Sequence, residues 1–119
     1  MAYTISHDRG KTWSAPSTSH VAKLIRNPQV RRLGDEWFLV GRNGGAGDGL
    51  VLYSSEDGIH WDDGVMIDRR PPGQGTGYYS CLLPIYEPGC APRMLMQYSH
   101  VYRENCVNIA HRTITLAPR

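Results

Sequence analysis

A turn sequence of eight residues occurs twice in this chain, and the two copies are 48 residues apart. The first copy runs from Ser6 to Trp13 and the second from Ser54 to Trp61. A fixed period of about 20 to 50 residues is typical of repeat architectures, in which each repeat is one supersecondary unit. The spacing therefore favours a chain built from successive copies of one small unit.

The residue types of the turn explain why the chain bends there. A short acid such as Asp8 can hydrogen-bond to its own backbone just downstream and close the turn. Gly10 and Gly58 can take the positive φ angle that such a turn needs. In the second copy Glu56 stands where the first has Asp8, and Asp57 is the alternative source of the turn carboxylate. The residues to which we assign a structural role in the two turns are Ser6, Asp8, Gly10, Trp13, Ser54, Glu56, Gly58 and Trp61.

Strand signals run along the whole chain, and helix signals are nearly absent. No segment carries apolar residues at the i, i+3, i+4, i+7 spacing over a helix length. Gly34-Asp35 lies between two extended runs and predicts a hairpin. The fold class is therefore predicted to be all-β. The predicted strands are Ala2–Ser6, Trp13–Ser19, Pro28–Leu33, Glu36–Arg42, Leu50–Tyr53, Trp61–Asp68, Tyr79–Ile85, Met94–Tyr98 and Cys106–Leu116.

Composition excludes several classes of function. The chain has 119 residues with 13 Gly and 8 Pro, which is typical of one globular unit rich in turns. The net charge is +2 and the charges are interspersed, so we expect no nucleic-acid partner. No apolar run approaches the roughly 18 residues of a membrane span, and no signal peptide is visible after Met1. We therefore expect no membrane span.

The three cysteines, Cys81, Cys90 and Cys106, show no metal-binding spacing. There is no CxxC pair and no paired histidine motif beside them. We expect small apolar residues here, no metal ion and no other cofactor.

The pattern S-x-D-x-G-x-T-W of the first turn resembles the Asp-box of the sialidase and BNR-repeat β-propellers. The second copy departs from the pattern at Glu56 and at His60, where Thr or Ser is usual. In that family the box joins the third and fourth strands of a blade, far from the active site, and its role is structural. The resemblance implies a partial sialidase-type β-propeller of about two and a half four-stranded antiparallel blades. The predicted units are a half blade at 1–20, a complete blade at 21–70 and a three-stranded last blade at 71–119.

A propeller of this size is incomplete. Propellers close with about 4 to 8 blades, and closure protects their strand edges. We therefore expect this chain to be the C-terminal part of a larger propeller, closed by missing blades or by a partner chain. A closed fold of another kind is the alternative.

The segment Gly77 to Leu82 resembles the A-Y-S-C-L segment of sialidases, whose tyrosine is the catalytic nucleophile in that family. Tyr79 aligns with that nucleophile, and Tyr78 is its competitor and a candidate substrate contact. Because side chains alternate along a strand, only one of the two can face the central cleft. Arg42 lies 37 residues before Tyr79 and matches the family's arginine that binds the substrate carboxylate. The weaker candidates for that role are Arg26, Arg103 and Arg112.

Tyrosine suits the substrate that this resemblance implies, a sialic-acid-like or other glycan. Tyrosine nucleophiles are the exception to the usual carboxylate pair of retaining glycosidases, and a phenol is not repelled by the sugar's own carboxylate. A phenol has a pKa near 10, so a neighbouring base or cation must help it to ionise. An arginine both provides that cation and matches a carboxylate with two parallel hydrogen bonds.

Two alternatives remain open from the residues. The family's Y-E pair appears here as Tyr98-Ser99, and the other catalytic groups of the family belong to blades that the chain lacks. A non-catalytic Asp-box propeller that binds glycans or proteins is therefore the second interpretation. A glycosidase acting on neutral sugars with a carboxylate pair is the third, although Glu36, Glu56 and Glu87 offer no convincing pair. We expect the isolated chain to be inactive under each of these interpretations.

Overall fold

The computed structural model describes residues 1–18, 24–43, 49–69, 77–103 and 106–116 of the chain. Within these ranges the protein is all-β and contains no helix, as the sequence predicts. The same ranges therefore hold no helix long and apolar enough to cross a membrane. The strands are β1 Ala2–Tyr3, β2 Ser17–Thr18, β3 Ile25–Leu33, β4 Glu36–Asn43, β5 Gly49–Ser55, β6 Val65–Arg69, β7 Ser80–Ile85, β8 Arg93–Arg103 and β9 Cys106–Thr115.

The strands form three antiparallel sheets, and each sheet follows the order of the chain. β1 pairs with β2, β3 to β6 form a four-stranded sheet, and β7 to β9 form a three-stranded sheet. β3 and β4 are joined by the hairpin predicted at Gly34-Asp35. As far as the described ranges go, none of the three sheets is closed. Among the described residues the three sheets thus contain two, four and three strands.

The strands after the two turns begin later than the sequence predicts. β6 begins at Val65 rather than at Trp61, and β2 is described only at Ser17–Thr18. The predicted end of that run, at residue 19, lies outside the described residues. The residues that follow each tryptophan are held by the turn instead, since the N–H of Ser14 donates to Ile5 O at 2.9 Å and that of Asp62 donates to Ser54 O at 3.1 Å.

The larger hydrophobic core lies between the four-stranded and three-stranded sheets. It is built by alternate residues of the strands, as expected when one face of each sheet is covered by the other. β3 and β7, the first strands of the two sheets, lie side by side. The buried residues of this core are Leu33, Phe38, Val40, Leu50, Tyr78, Leu82, Met94, Met96 and Tyr98.

A second, smaller core covers the other face of the four-stranded sheet. Leu39, Val51 and Tyr53 are buried there, and Trp61 and Met66 pack against them. The second turn therefore anchors its tryptophan in a core as expected. Trp13 of the first turn, in contrast, is 63% exposed.

Candidate functional site

The first turn is closed by the acid and the serine of its motif. Asp8 Oδ1 accepts the N–H of Thr12 at 2.8 Å, and Asp8 Oδ2 accepts the Thr12 hydroxyl at 2.7 Å. Ser6 Oγ accepts the N–H of Gly10 at 2.7 Å and donates to Asp8 at 2.9 Å. These hydrogen bonds, of which the two from Thr12 have the largest effect, lower the pKa of Asp8 to about 2. Hydrogen bonds to the charged form of the carboxyl group outweigh the opposing effect of its partial desolvation on the pKa.

The second turn has the same bonds, but they are made by Ser55 and Asp57 rather than by the predicted Ser54 and Glu56. Asp57 Oδ1 accepts the N–H groups of Ile59 and His60, both at 2.8 Å, and Ser55 Oγ accepts that of Gly58 at 2.9 Å. The His60 ring contacts Asp57 Oδ2 at 2.6 Å, in the place of the threonine hydroxyl. The backbone N–H and ring of His60 hold the pKa of Asp57 well below its usual value.

The predicted Ser54 belongs to the strands that flank the turn. Its hydroxyl and N–H both bond to Asp62, at 3.0 Å each. In the first copy Ile5 and Ser14 form the corresponding pair, at 3.0 Å. The second turn therefore has one residue fewer between its acid and its glycine than the first turn has. An alignment of the two copies on glycine and tryptophan for this reason selects Ser54 and Glu56 instead of Ser55 and Asp57.

The candidate catalytic residues lie at the end of the sheets opposite to the second turn. Ser55 ends β5 and pairs with Trp37 at the start of β4, whereas Arg42 lies near the other end of β4, opposite Leu50. Leu50 pairs in turn with Asp68 of β6. Because antiparallel partners project from the same face, Arg42 and Asp68 flank Leu50 on the face that packs on the three-stranded sheet.

The two tyrosines lie in a β-bulge directly before β7. The N–H of Tyr78 donates to Ser99 O, and the N–H of Ser99 donates to Tyr79 O, both at 2.9 Å, so two residues oppose one. Tyr78 has a φ of 69°, a backbone conformation that bulky residues rarely adopt. Bulges and strained residues of this kind are common beside functional sites.

The bulge sends the two side chains into different surroundings. Tyr78 is fully buried, and its ring centre is 6.3 Å from that of Tyr98. The predicted substrate contact at Tyr78 is therefore not accessible to a ligand. Tyr79 is 64% exposed, so its hydroxyl is available to one.

Arg42 reaches the backbone of the tyrosine segment. Its Nη1 lies 3.5 Å from the carbonyl oxygen of Gly77, which is a long hydrogen bond, and Gly77 is two residues before Tyr79. Within the described ranges no hydrogen bond or ion pair joins Arg42 to the Tyr79 side chain. The structure thus places the two predicted residues at the same end of neighbouring sheets but on different faces. Arg42 lies on the face that packs on the three-stranded sheet, whereas Tyr79 lies with Cys81 and Ser99 on the outer face of that sheet.

An Asp–His pair that sequence reasoning missed joins the two sheets at this end. His100 Nδ1 lies 2.5 Å from Asp68 Oδ2, with the side chains 34% and 18% exposed respectively. Arg112 hydrogen-bonds to the Tyr98 side chain, which raises the pKa of the arginine, and the charge of Asp68 raises it further. No sequence signal links two residues that lie 32 positions apart on different sheets.

The weaker candidates Arg26 and Arg103 and the acid Glu87 lie next to residues of their own sheets. Arg26 pairs with Arg42 across β3 and β4, and Arg103 lies over the Tyr102 ring at 5.5 Å. Glu87 is bound by Arg93 at 2.8 Å in the hairpin between β7 and β8. The three cysteines are free thiols, and the described part of the chain contains no group of three side chains suited to a metal ion.

Compared with known proteins, the chain matches no family model, no curated protein and no solved structure. The resemblance to sialidase-type propellers therefore stays a prediction from the turn motif and the tyrosine segment.

Proposed function

We propose that this chain is the C-terminal part of a sialidase-like glycoside hydrolase, to whose active site it contributes Tyr79 as the nucleophile and Arg42 as a carboxylate-binding residue. The observation that carries the proposal is the contact of Arg42 with the carbonyl of Gly77, which brings the arginine to the tyrosine segment. The strained bulge and the exposed ring of Tyr79 at the same end support it.

The chemistry assigned to each residue follows from its environment. Among the described residues the Arg42 guanidinium has one long contact, with a neutral carbonyl, which leaves most of its donors for a substrate carboxylate. With the substrate carboxylate held by Arg42, the exposed Tyr79 hydroxyl attacks the anomeric carbon as its proton passes to a base. The acid and the second base of the reaction would come from the blades that complete the propeller.

The test is a nuclear magnetic resonance titration of the ¹⁵N-labelled chain with N-acetylneuraminic acid and, separately, with its neutral methyl ester. We expect the acid to shift the amide signals of Gly77 and Tyr79 more than the ester does. Arg42→Gln should weaken binding of the acid by roughly 10- to 100-fold, since a hydrogen bond to a charged group contributes about 1.5–3 kcal/mol. Arg32→Gln, which removes an exposed arginine bound to Asp35 near the opposite end of β3, is the matched control. Equal affinities of the Arg42→Gln chain and the unmodified chain would refute the proposal.

A non-catalytic glycan-binding propeller is the second candidate. The observation that favours it is the Tyr79 hydroxyl, which has no hydrogen-bonded base or cation among the described residues. This candidate predicts equal binding of the acid and its ester, and no change in hydrolysis of a fluorogenic sialoside when Tyr79→Phe is introduced into the complete propeller. The sialidase-like proposal predicts that this substitution removes the hydrolysis.

A further inference from the structure

We propose that Asp68 and His100 form a proton-accepting dyad at the end of the sheets that carries Tyr79 and Arg42. His100 acts as a general base, and Asp68 is the positioning residue that orients its ring. This inference rests on the proposed function only for the identity of the substrate. The dyad itself is argued from the geometry of the two side chains and their neighbours.

The hydrogen bond between the pair selects one form of the ring. Since Asp68 Oδ2 accepts at Nδ1, the neutral imidazole carries its proton on Nδ1 and presents the lone pair of Nε2. His100 has no other partner among the described residues, so Nε2 is available to a ligand. With about a third of its side chain exposed, the ring is both held and accessible.

The surroundings keep Asp68 suited to its role. The guanidinium of Arg112 interacts with its charge, and Arg42 lies two strands away, roughly 10 Å between Cα atoms, on the same face. The negative charge of the Asp68 carboxylate stabilises the imidazolium that forms when His100 accepts a proton.

The position of His100 connects the dyad to the proposed site. His100 follows Ser99, whose backbone and hydroxyl hold both tyrosines of the bulge; Ser99 Oγ accepts the N–H of Tyr79 at 2.9 Å. The dyad therefore lies at the same end of the sheets as Tyr79 and Arg42. It supplies a base in a chain whose Tyr98-Ser99 sequence lacks the glutamate of the family it resembles.

The proposed step is a simple proton transfer. The O–H bond of a hydroxyl group or water at the site breaks, its proton bonds to Nε2, and the oxygen uses the released electron pair to bond to the substrate carbon. The bond between that carbon and the leaving oxygen breaks, and its electron pair stays on the leaving oxygen. The proton then returns from Nε2 to the leaving oxygen, so the dyad ends in its starting state.

The pair formed by His60 and Asp57 is the matched control. It has the same Nδ1–carboxylate contact, at 2.6 Å, but it lies in the second turn at the opposite end and is more exposed. If the Asp–His contact of His100 were only structural, substituting His100 and substituting His60 would change the rate of a base-catalysed hydrolysis to the same extent.

The experiment measures hydrolysis of p-nitrophenyl acetate, in which a base takes a proton from the attacking water, by the chain and its variants. We expect His100→Gln to reduce the protein-dependent rate by roughly 100-fold, because a positioned general base contributes about 10²-fold or more. Asp68→Asn should reduce it in part, and His60→Gln should leave it unchanged. Equal rates for the two histidine variants would overturn the proposal.

A second measurement needs no variant and so does not depend on whether the substituted chains fold. Diethyl pyrocarbonate acylates imidazole nitrogens that carry an available lone pair, and peptide mapping reports the extent at each histidine. We expect His100 to react at least as fast as the more exposed His111 of β9. An unreactive His100 would refute the availability of Nε2. Adding N-acetylneuraminic acid tests the substrate separately, because a bound sugar should protect His100 from acylation. If His100 reacts and the sugar does not protect it, the dyad is supported and the proposed function is contradicted.

Discussion

Replacing Gly64 with alanine tests how tightly the segment between the second turn and β6 is packed on the smaller core. Gly64 has a φ of 74°, and a Cβ atom built there would lie 2.6 Å from two ring carbons of Tyr53 and 2.8 Å from a methyl group of Val51. Both neighbours are buried, so neither can move freely away. The substitution therefore adds overpacking to backbone strain.

The magnitude follows from those two contributions. A residue other than glycine in the left-handed region costs roughly 1–2 kcal/mol. Overpacking by a methyl group in a closed core costs about 1–3 kcal/mol more. We expect Gly64→Ala to lower the free energy of unfolding by roughly 2–5 kcal/mol, a large share of the ~5–15 kcal/mol typical of a domain.

Gly89→Ala is the matched control for this substitution. Gly89 has a nearly identical φ of 76°, but a Cβ atom there would meet nothing within 4 Å. It should cost only the backbone strain, roughly 1–2 kcal/mol. Urea denaturation of the two variants measures both values. Equal destabilisation would refute the packing of Gly64 on Tyr53.

Two further predictions concern the turns. Asp57→Ala should lower the thermal midpoint of unfolding more than Glu56→Ala does, because Asp57 accepts the backbone N–H groups that close the second turn. A larger effect of Glu56→Ala in thermal denaturation would contradict this assignment. Hydrogen bonds lower the pKa of Asp8 from 3.8 to about 2 in the folded chain, so on acidification Asp8 is protonated first in the unfolded chain. The stabilisation from Asp8 is therefore present above about pH 4 and lost toward pH 2. Urea midpoints measured from pH 5 to pH 2 should therefore fall less steeply in Asp8→Asn, and an unchanged slope would exclude this contribution.

The strands and the hairpin were predictable from the sequence because their signals are local. Gly34-Asp35 between two extended runs specifies a hairpin wherever the chain goes next. The second turn was harder, since its glycine and tryptophan keep the 48-residue spacing while its serine and acid are displaced by one residue. Hydrogen-bond geometry distinguishes Asp57 from Glu56, and residue spacing does not.

The candidate site was predictable only in part, because it depends on contacts between sheets. Alternation indicated that Tyr78 and Tyr79 point in different directions, but it did not indicate that Tyr78 adopts a positive φ within a bulge. The pair of Asp68 and His100 forms only when two sheets pack face to face. No pattern within either strand contains that information.

The measurement that most directly tests the proposed sialidase-type site is a crystal structure of this chain with N-acetylneuraminic acid bound. We predict that the sugar carboxylate contacts the Arg42 guanidinium and that the Tyr79 hydroxyl faces the anomeric carbon, at roughly the 3–3.5 Å of a reactive arrangement. A sugar bound away from both residues, or bound to Arg42 with the Tyr79 ring still on the far side of the last sheet, would contradict the proposal and favour a binding propeller.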